Sequence, residues 1–329
     1  MTNLNQSIID YLFSFLYFPK YYVKLIIRYR KTFKNFSHVF LKVYRNEFPI
    51  KGILKNGESV RIQSRFDSGA ITCNFKDYFN WDKQIVNITN PNLPTVKLLG
   101  AEKNGDIQTI FFNEEYKVLD IKDKIVVDVG ANIGDSAIYF ALKGAKKVIA
   151  LEPFPENYKL AKKNIELNNL TDKIILLHAG CASKSGKIKI NPKSTGPCSI
   201  LSEDVNGLEI PLLSLEDIVK DYKINSGILK MDCEGCEVDV ILNSSKNTFQ
   251  KFSQLFIEYH YGYKDIIKKL NEVGFSSDVT RPIWNPLFTA QMQLGNIISK
   301  YKEKWNNNIN KKLFFRKFIY VEKNHNLWK

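Results

Sequence analysis

Hydrophobic and polar positions change their period along this chain, and the regular part lies between residues 123 and 280. Short apolar runs rich in β-branched residues, Ile125–Val129, Val148–Leu151, Ile174–Leu177, Gly227–Met231, Leu255–Tyr259 and Phe275–Val279, predict strands. Between them the period lengthens. Ser136–Leu142, Pro155–Asn168, Val238–Leu242 and Lys264–Val273 predict helices, with Tyr158, Ala161 and Ile165 at i, i+3 and i+7 in the second. Ile188–Ile190 and Ile210–Leu213 add a further strand pair. Strand and helix in alternation predict an α/β fold: a doubly wound, mostly parallel sheet with helices on both faces.

The flanks read differently. Residues 49–122 form a β-rich lead-in. It starts with a hairpin turning at Lys55-Asn56-Gly57 and continues with a helix over 65–81 that carries Ile71, Phe75 and Phe79 on one face. Asn90, Pro91, Asn92 and Pro94 mark a loop, and 95–120 is expected to hold two more strands. Residues 1–48 form a basic helical extension. Lys20, Lys24, Arg28 and Lys31 fall on one stripe and Tyr22, Ile26, Tyr29 and Phe33 on the opposite side. Residues 281–313 are rich in Asn, Lys, Gln and Trp, with a helix expected over Leu294–Lys304, and Leu313–Glu322 is expected as a late strand. The expected organisation is therefore 1–48, 49–122, a catalytic domain over 123–280, and a basic segment over 281–329.

Charge sharpens this division. The 329 residues carry 48 Lys/Arg against 34 Asp/Glu, net +14. Residues 1–50 contribute eight basic and two acidic residues, and residues 300–329 nine and two, so the middle is nearly neutral. Basic ends on a neutral body suggest appendages that meet an anionic surface. The run Ile8–Pro19 is too short to span a bilayer, which needs about 20 apolar residues, and Lys20 would interrupt a span through Ile8–Ile27; an interfacial helix over residues 8–34 and a helix packed on the body are the alternatives ahead of it. The start has neither the basic lead nor the small-residue cleavage site of a signal peptide. Five cysteines, an odd and small number, point to a reducing compartment, and Cys233 and Cys236 are expected as inert thiols, there being no second pair to complete a zinc site. The expected location is cytoplasmic, peripheral at the inner membrane face.

The chemistry concentrates in VVDVGANIGDSAIYFA, residues 126–141. A buried strand ends at Asp128-Val129-Gly130, turns through Asn132 and Gly134, and enters a helix. The glycines are expected to let backbone approach a ligand, and the helix start to offer free N–H groups. Glu152 ends the next strand, 22 residues after Gly130, where a carboxylate can hold both ribose hydroxyls of an adenosine ligand. A nicotinamide dinucleotide would want G-x-G-x-x-G; here Asn132 replaces the central glycine. It would also bring a pyrophosphate near Asp128, costing roughly 3 kcal/mol per charge pair at ~5 Å and an effective dielectric of about 20. S-adenosylmethionine reverses that sign, and Asp128, Glu152, Asp232 and Glu234 give its sulfonium and ammonium an acidic setting.

VVDVGANIGDSAIYFA, LEPFPENYKLAKKNIELNN, HAGCASKSGKI, LKMDCEGCEVDVI and LFIEYH, in this order over about residues 115–280, resemble the FkbM-type S-adenosylmethionine-dependent methyltransferases. The resemblance implies the class I methyltransferase (Rossmann-like) fold and methyl transfer to hydroxyl oxygens of macrolide-like products and sugars. It implies Asp128, Gly130, Asn132 and Gly134 at the cofactor's amino-acid end, Glu152 at the ribose, and Gly180 and Cys181 beside the adenine. At the last two the family usually carries Ala and an aliphatic residue. Asp232 and Glu234 occupy the family's D-x-E-G-x-E run.

For catalysis, His260 follows a strand at the mouth of the sheet and has a pKa suited to a base near neutrality; Asp232 and Glu234 are the alternatives. No metal is assigned. The expected activity is O-methylation of a hydroxyl on a sugar, a lipid-linked glycan or a related natural product. An RNA methyltransferase and a non-catalytic cofactor-binding module are the rivals, and nucleic acid is disfavoured because no Asn-Pro-Pro-Tyr-like run follows the fourth strand.

Overall fold

A computed structural model describes residues 23–101, 106–192, 204, 206–259, 264–279 and 318–323. Helix α1 covers residues 23–32 and is followed by α2 (Phe36–Arg45) and the antiparallel hairpin β1 (Ile50–Ile53) and β2 (Ser59–Ile62). Tyr29 and Phe33 of the first stretch are buried against Val39, Ile50, Leu54, Ile62 and Ile71, so the aromatic side of α1 packs on the body. Its basic side faces outward: Lys24, Arg28 and Lys31 are exposed.

The lead-in departs from its expected pattern in two places. Helix α3 (Arg65–Thr72), capped by the Ser64 side chain, stops nine residues earlier than the helix over 65–81 that the periodicity of Ile71, Phe75 and Phe79 predicts. Asn74 adopts a left-handed φ of 65°, a conformation that side chain tolerates, and Phe79 instead opens β3 (Phe79–Asp82). This strand pairs with β4 (Ile85–Ile88), which pairs with β5 (Val96–Leu99), all antiparallel. The region 95–120 then yields one strand rather than two, because Ile107–Phe111 forms helix α4 with Ile107, Ile110 and Phe111 buried at i, i+3 and i+4.

Strand β6 (Ile125–Val129), α5 (Asp135–Leu142), β7 (Lys147–Leu151), α6 (Pro155–Leu167) and β8 (Ile174–Leu177) follow the predicted alternation. Next come β9 (Gly180–Ala182), the hairpin partners β10 (Gly186–Ile190) and β11 (Leu208–Ser214), and α7 (Leu215–Asp221). Then β12 (Gly227–Met231), α8 (Glu237–Asn243), α9 (Lys246–Phe249), β13 (Phe252–Glu258), α10 (Lys264–Glu272), β14 (Phe275–Val279) and β15 (Phe318–Lys323) complete the chain. The expected helix Leu294–Lys304 lies outside the described residues.

Seven strands form one sheet in the order β14-β15-β13-β12-β6-β7-β8. β8, β7, β6, β12 and β13 run parallel; β15 is antiparallel to both its neighbours. This is the class I methyltransferase arrangement. The chain reverses its direction of travel across the sheet between β6 and β12, so the two loops leaving their carboxyl ends bound a crevice. One core cluster, including Tyr139, Phe140 and Phe111, fills one face; the other, including Phe249, Phe252 and Tyr259, fills the opposite face.

Candidate functional site

β6 is buried because strands of a two-sided sheet are covered on both faces, and its fourth residue, Asp128, is fully buried with it. A charge there must be paired. The Asp128 carboxylate takes an ion pair at 2.9 Å from Lys230 of the neighbouring β12 and a 2.7 Å hydrogen bond from the Ser136 hydroxyl at the start of α5. Lys230 also donates to the Gly130 carbonyl at 2.8 Å. Burial acts to lower the Lys230 pKa, but Asp128 and Asp232 outweigh it and hold the ammonium above the ordinary lysine range. The charge of Asp128 is therefore spent inside the protein, so its expected contribution to an acidic lining is corrected. Lys230 lay in a run of apolar strand residues, and only its presence inside that run signalled a buried partner.

The turn after β6 is used by the protein itself. The N–H groups of Gly130 and Ala131 both donate to the Leu151 carbonyl, that of Asn132 to Glu152 Oε2 at 2.8 Å, and that of Gly134 to the Ala131 carbonyl. At the helix start, where free N–H groups were expected, that of Ser136 is taken by the Asp135 carboxylate. The glycines likewise serve backbone packing. A Cβ on Gly130, at φ 81°, would lie 1.8 Å from the Asp232 carbonyl, and one on Gly134 would press 3.2 Å from Ala161 of α6. A pyrophosphate cradle needs free N–H donors at this turn. The N–H groups of Gly130, Ala131, Asn132 and Gly134 are already engaged within the protein.

Glu152, at the end of β7, is buried and accepts from Asn132 N, Phe154 N and Asn157 Nδ2. Burial outweighs these bonds and pushes its carboxyl up to about 8. Asp135, also buried, is pushed up to about 7, again chiefly by burial. Oε2 of Glu152 accepts a single hydrogen bond here, so it keeps acceptor capacity for a ribose hydroxyl. Asp232, half-buried at the end of β12, and Asn132, half-buried in the turn, face each other's strands across the Gly130–Asp232 contact. Lys230 is the cation felt by Asp128, Asp135, Asp232 and Glu152, so acids outnumber it and the crevice suits a cationic ligand once Glu152 and Asp135 ionise. The residues present thus fit a nucleoside that is positively charged and carries no phosphate.

Glu234 is buried with a left-handed φ of 55°, and Gly235 follows at 125°. That tight curl brings Cys233 and Cys236 together as a disulfide, Cα–Cα 5.6 Å, where free thiols were expected. Both N–H groups of Cys233 and Gly235 donate to the buried Glu237 carboxylate, which fixes the loop from below. Glu258, the end of β13, is buried, and His260 lies outside the described residues. Gly180 and Cys181 are buried in β9 beside Leu212 and Leu213, and burial pushes the Cys181 thiol up to about 12. Among the described residues no three His, Cys, Asp or Glu side chains are grouped to hold a metal ion.

The chain covers 88% of "Methyltransferase sdnD" of Sordaria araneosa, at 25% identity over 227 residues and 56% of its own length. "Uncharacterized protein 158B" of Sulfolobus islandicus rod-shaped virus 1 is 32% identical over 162 residues, covering 48% of this chain and 77% of that protein. Among solved structures, M. jannaschii TYW2 in complex with AdoMet shares 15% identity and a TM-score of 0.36 over 74% of this chain and 89% of that one. Residues 128–277, from the paired Asp128 of β6 to Ser277 of β14, match the methyltransferase FkbM domain. Residues 128–277 of this chain are therefore a methyltransferase domain of the FkbM family.

Proposed function

We propose that this chain transfers a methyl group from S-adenosylmethionine to a hydroxyl oxygen of a sugar, a lipid-linked glycan or a related natural product. The observation that carries the donor is the turn of residues 130–134, where the N–H groups of Gly130, Ala131, Asn132 and Gly134 are engaged while the surrounding carboxylates outnumber Lys230. When bound, the donor supplies an activated methyl on a positively charged sulfur. Asn132, Gly130, Gly134 and Asp128 belong at its amino-acid end, Glu152 at the ribose, Gly180 and Cys181 at the adenine. Asp232 projects from the carboxyl end of β12, where the donor's charge and the acceptor's oxygen would meet. Transfer is an in-line displacement with a neutral leaving group, so the protein's main task is alignment. His260, just beyond β13, is proposed as the base that takes the hydroxyl proton, with Asp232 or the buried Glu234 as alternatives.

The basic N-terminal segment, residues 8–34, is proposed to hold the enzyme at an anionic membrane surface on the cytoplasmic side, where lipid-linked glycans are built. Among the described residues no helix is long and apolar enough to cross a membrane. Methyl transfer to RNA is a second reading, favoured by the net charge of +14 and its concentration at both ends. Incubating the protein with methyl-labelled donor and fractionated glycans, lipids and RNA separates the cases. Label in a base-stable ether of the glycan or lipid-glycan fraction, lost in His260→Ala or Asp232→Asn, supports the proposal. Label in RNA contradicts it. Donor binding without label in any fraction identifies a non-catalytic module.

A further inference from the structure

A cavity of about 600 Å³ opens in the N-terminal region, and none of the methyltransferase crevice residues named above lines it. Five cations line it: Lys24, Arg28 and Lys31 from one face of α1, Lys55 from the β1–β2 turn, and Lys76 from the short helical turn before β3. Asp77 is the one carboxylate in the lining. Lys76 is paired with Glu58. Lys24, Lys31 and Lys55 form no salt bridge among the described residues. Arg28 is steadied by a 3.3 Å contact to the Cys73 sulfur.

The walls are fixed against each other. The Lys55 N–H donates to the Thr32 carbonyl, the Lys34 N–H donates to the Ile53 carbonyl, and Phe33 bridges to Leu54. The buried side chains of Leu54 and Ile71 lie at the base. Concave geometry with low-dielectric walls concentrates the field of the converging cations, so the cavity attracts an anion more strongly than the same lysines spread on a convex face. In the lining Ile27 (46% exposed), and one turn before it Val23 (54%), leave apolar side chains in water beside these charges. Apolar side chains next to unpaired cations match the boundary between lipid headgroups and acyl chains. The opposite, aromatic side of α1 is already buried in the protein, so contact with lipid falls to this face.

We propose that this cavity binds the phosphate of an anionic lipid headgroup, with Val23 and Ile27 resting in the acyl boundary. The inference deepens the membrane reading above and rests on it for the source of the phosphate. Each lysine near an anionic surface contributes about a five- to six-fold gain in partitioning. Replacing three exposed ones, Lys24→Gln, Lys31→Gln and Lys55→Gln, should therefore lower binding of the full chain by about a hundred-fold. The test is cosedimentation with phosphatidylcholine vesicles prepared with and without phosphatidylglycerol. A second triple variant, Lys162→Gln, Lys163→Gln and Lys173→Gln, lies outside the cavity and controls for net charge. Binding of S-adenosylhomocysteine by every variant, measured separately, shows that the methyltransferase crevice and the fold are intact.

Phosphatidylglycerol-dependent sedimentation that collapses in the cavity variant and survives in the control variant is the expected result. Equal losses in the two variants, or no loss in either, overturn the site. Inorganic phosphate that protects the wild type but not the cavity variant from thermal unfolding, without any vesicle binding, overturns the lipid source. Loss of RNA retention in the cavity variant with vesicle binding unchanged overturns it too. Failure of the wild type to bind vesicles defeats the membrane reading, while normal cofactor binding leaves the methyltransferase reading standing.

Discussion

Single side chains decide how this crevice handles charge. Lys230 and Asp128 form a buried pair whose members cannot be removed singly without leaving the other uncompensated. Lys230→Met should lower unfolding free energy by about 3–5 kcal/mol in urea titration, and the double variant Lys230→Met/Asp128→Asn should recover much of it. Glu152 and Asp135 hold their protons near neutrality because they are buried, with Glu152 raised from 4.5 to about 8. For an acid with a raised folded pKa, the folded state binds the proton more tightly than the unfolded chain. The free protein should therefore lose stability as pH rises through that window. A bound cation favours the ionised form, so affinity for S-adenosylmethionine should rise with pH from about 6 and level off above about 8. Gly130 sits where strand ends meet. Gly130→Ala should cost more than about 2 kcal/mol, because its Cβ would enter the Asp232 carbonyl, whereas Gly186→Ala, with nothing within 4 Å, should stay within about 0.5 kcal/mol. Guanidinium unfolding of the two variants provides the comparison.

At the scale of elements, α6 shows how a helix can finish a sheet. The Asn164 side chain accepts from the Leu99 N–H and donates to the Leu99 and Ile133 carbonyls, and Asn168 repeats the pattern at Lys97. Two amides spaced by one turn thus serve the free edge of β5 and tie the lead-in sheet to the cofactor turn. Asn164 is fully buried and the Asn168 bonds to Lys97 are exposed. Asn164→Leu should therefore cost about 3 kcal/mol in thermal or denaturant unfolding, and Asn168→Leu about 1 kcal/mol or less. Most strands and helices of 123–280 were legible in the sequence because each is a run of one period; the short β9, α7 and α9 were not. The β1–β2 hairpin was legible because Asn56-Gly57 punctuates it. The end of α3 was not: Phe75 and Phe79 kept a helical spacing while Asn74 broke the backbone, and pattern alone cannot weigh a single left-handed residue against three apolar ones. Likewise Asn164 and Asn168 look like ordinary polar helix positions until β5 is placed beside them. The glycine turn was found by its spacing, but its partners, the Leu151 and Asp232 carbonyls, are backbone atoms, which sequence does not display.

For the molecule as a whole, two features pull in one direction. The sheet order places the family's acidic run and the glycine turn on adjacent central strands, and the basic N-terminal region adds a separate cationic cavity. A catalytic body with a detached anion site fits an acceptor presented at a charged surface. The central claim remains the donor: the crevice takes a cationic, phosphate-free nucleoside. Isothermal titration of S-adenosylmethionine into the purified chain, repeated near pH 7 in two buffers of different ionisation enthalpy, tests it most directly. The account predicts one site per chain and proton release on binding, reduced in Glu152→Gln to the share that Asp135 supplies. A chain that binds neither S-adenosylmethionine nor its thioether product, yet takes up a nicotinamide dinucleotide, would contradict it.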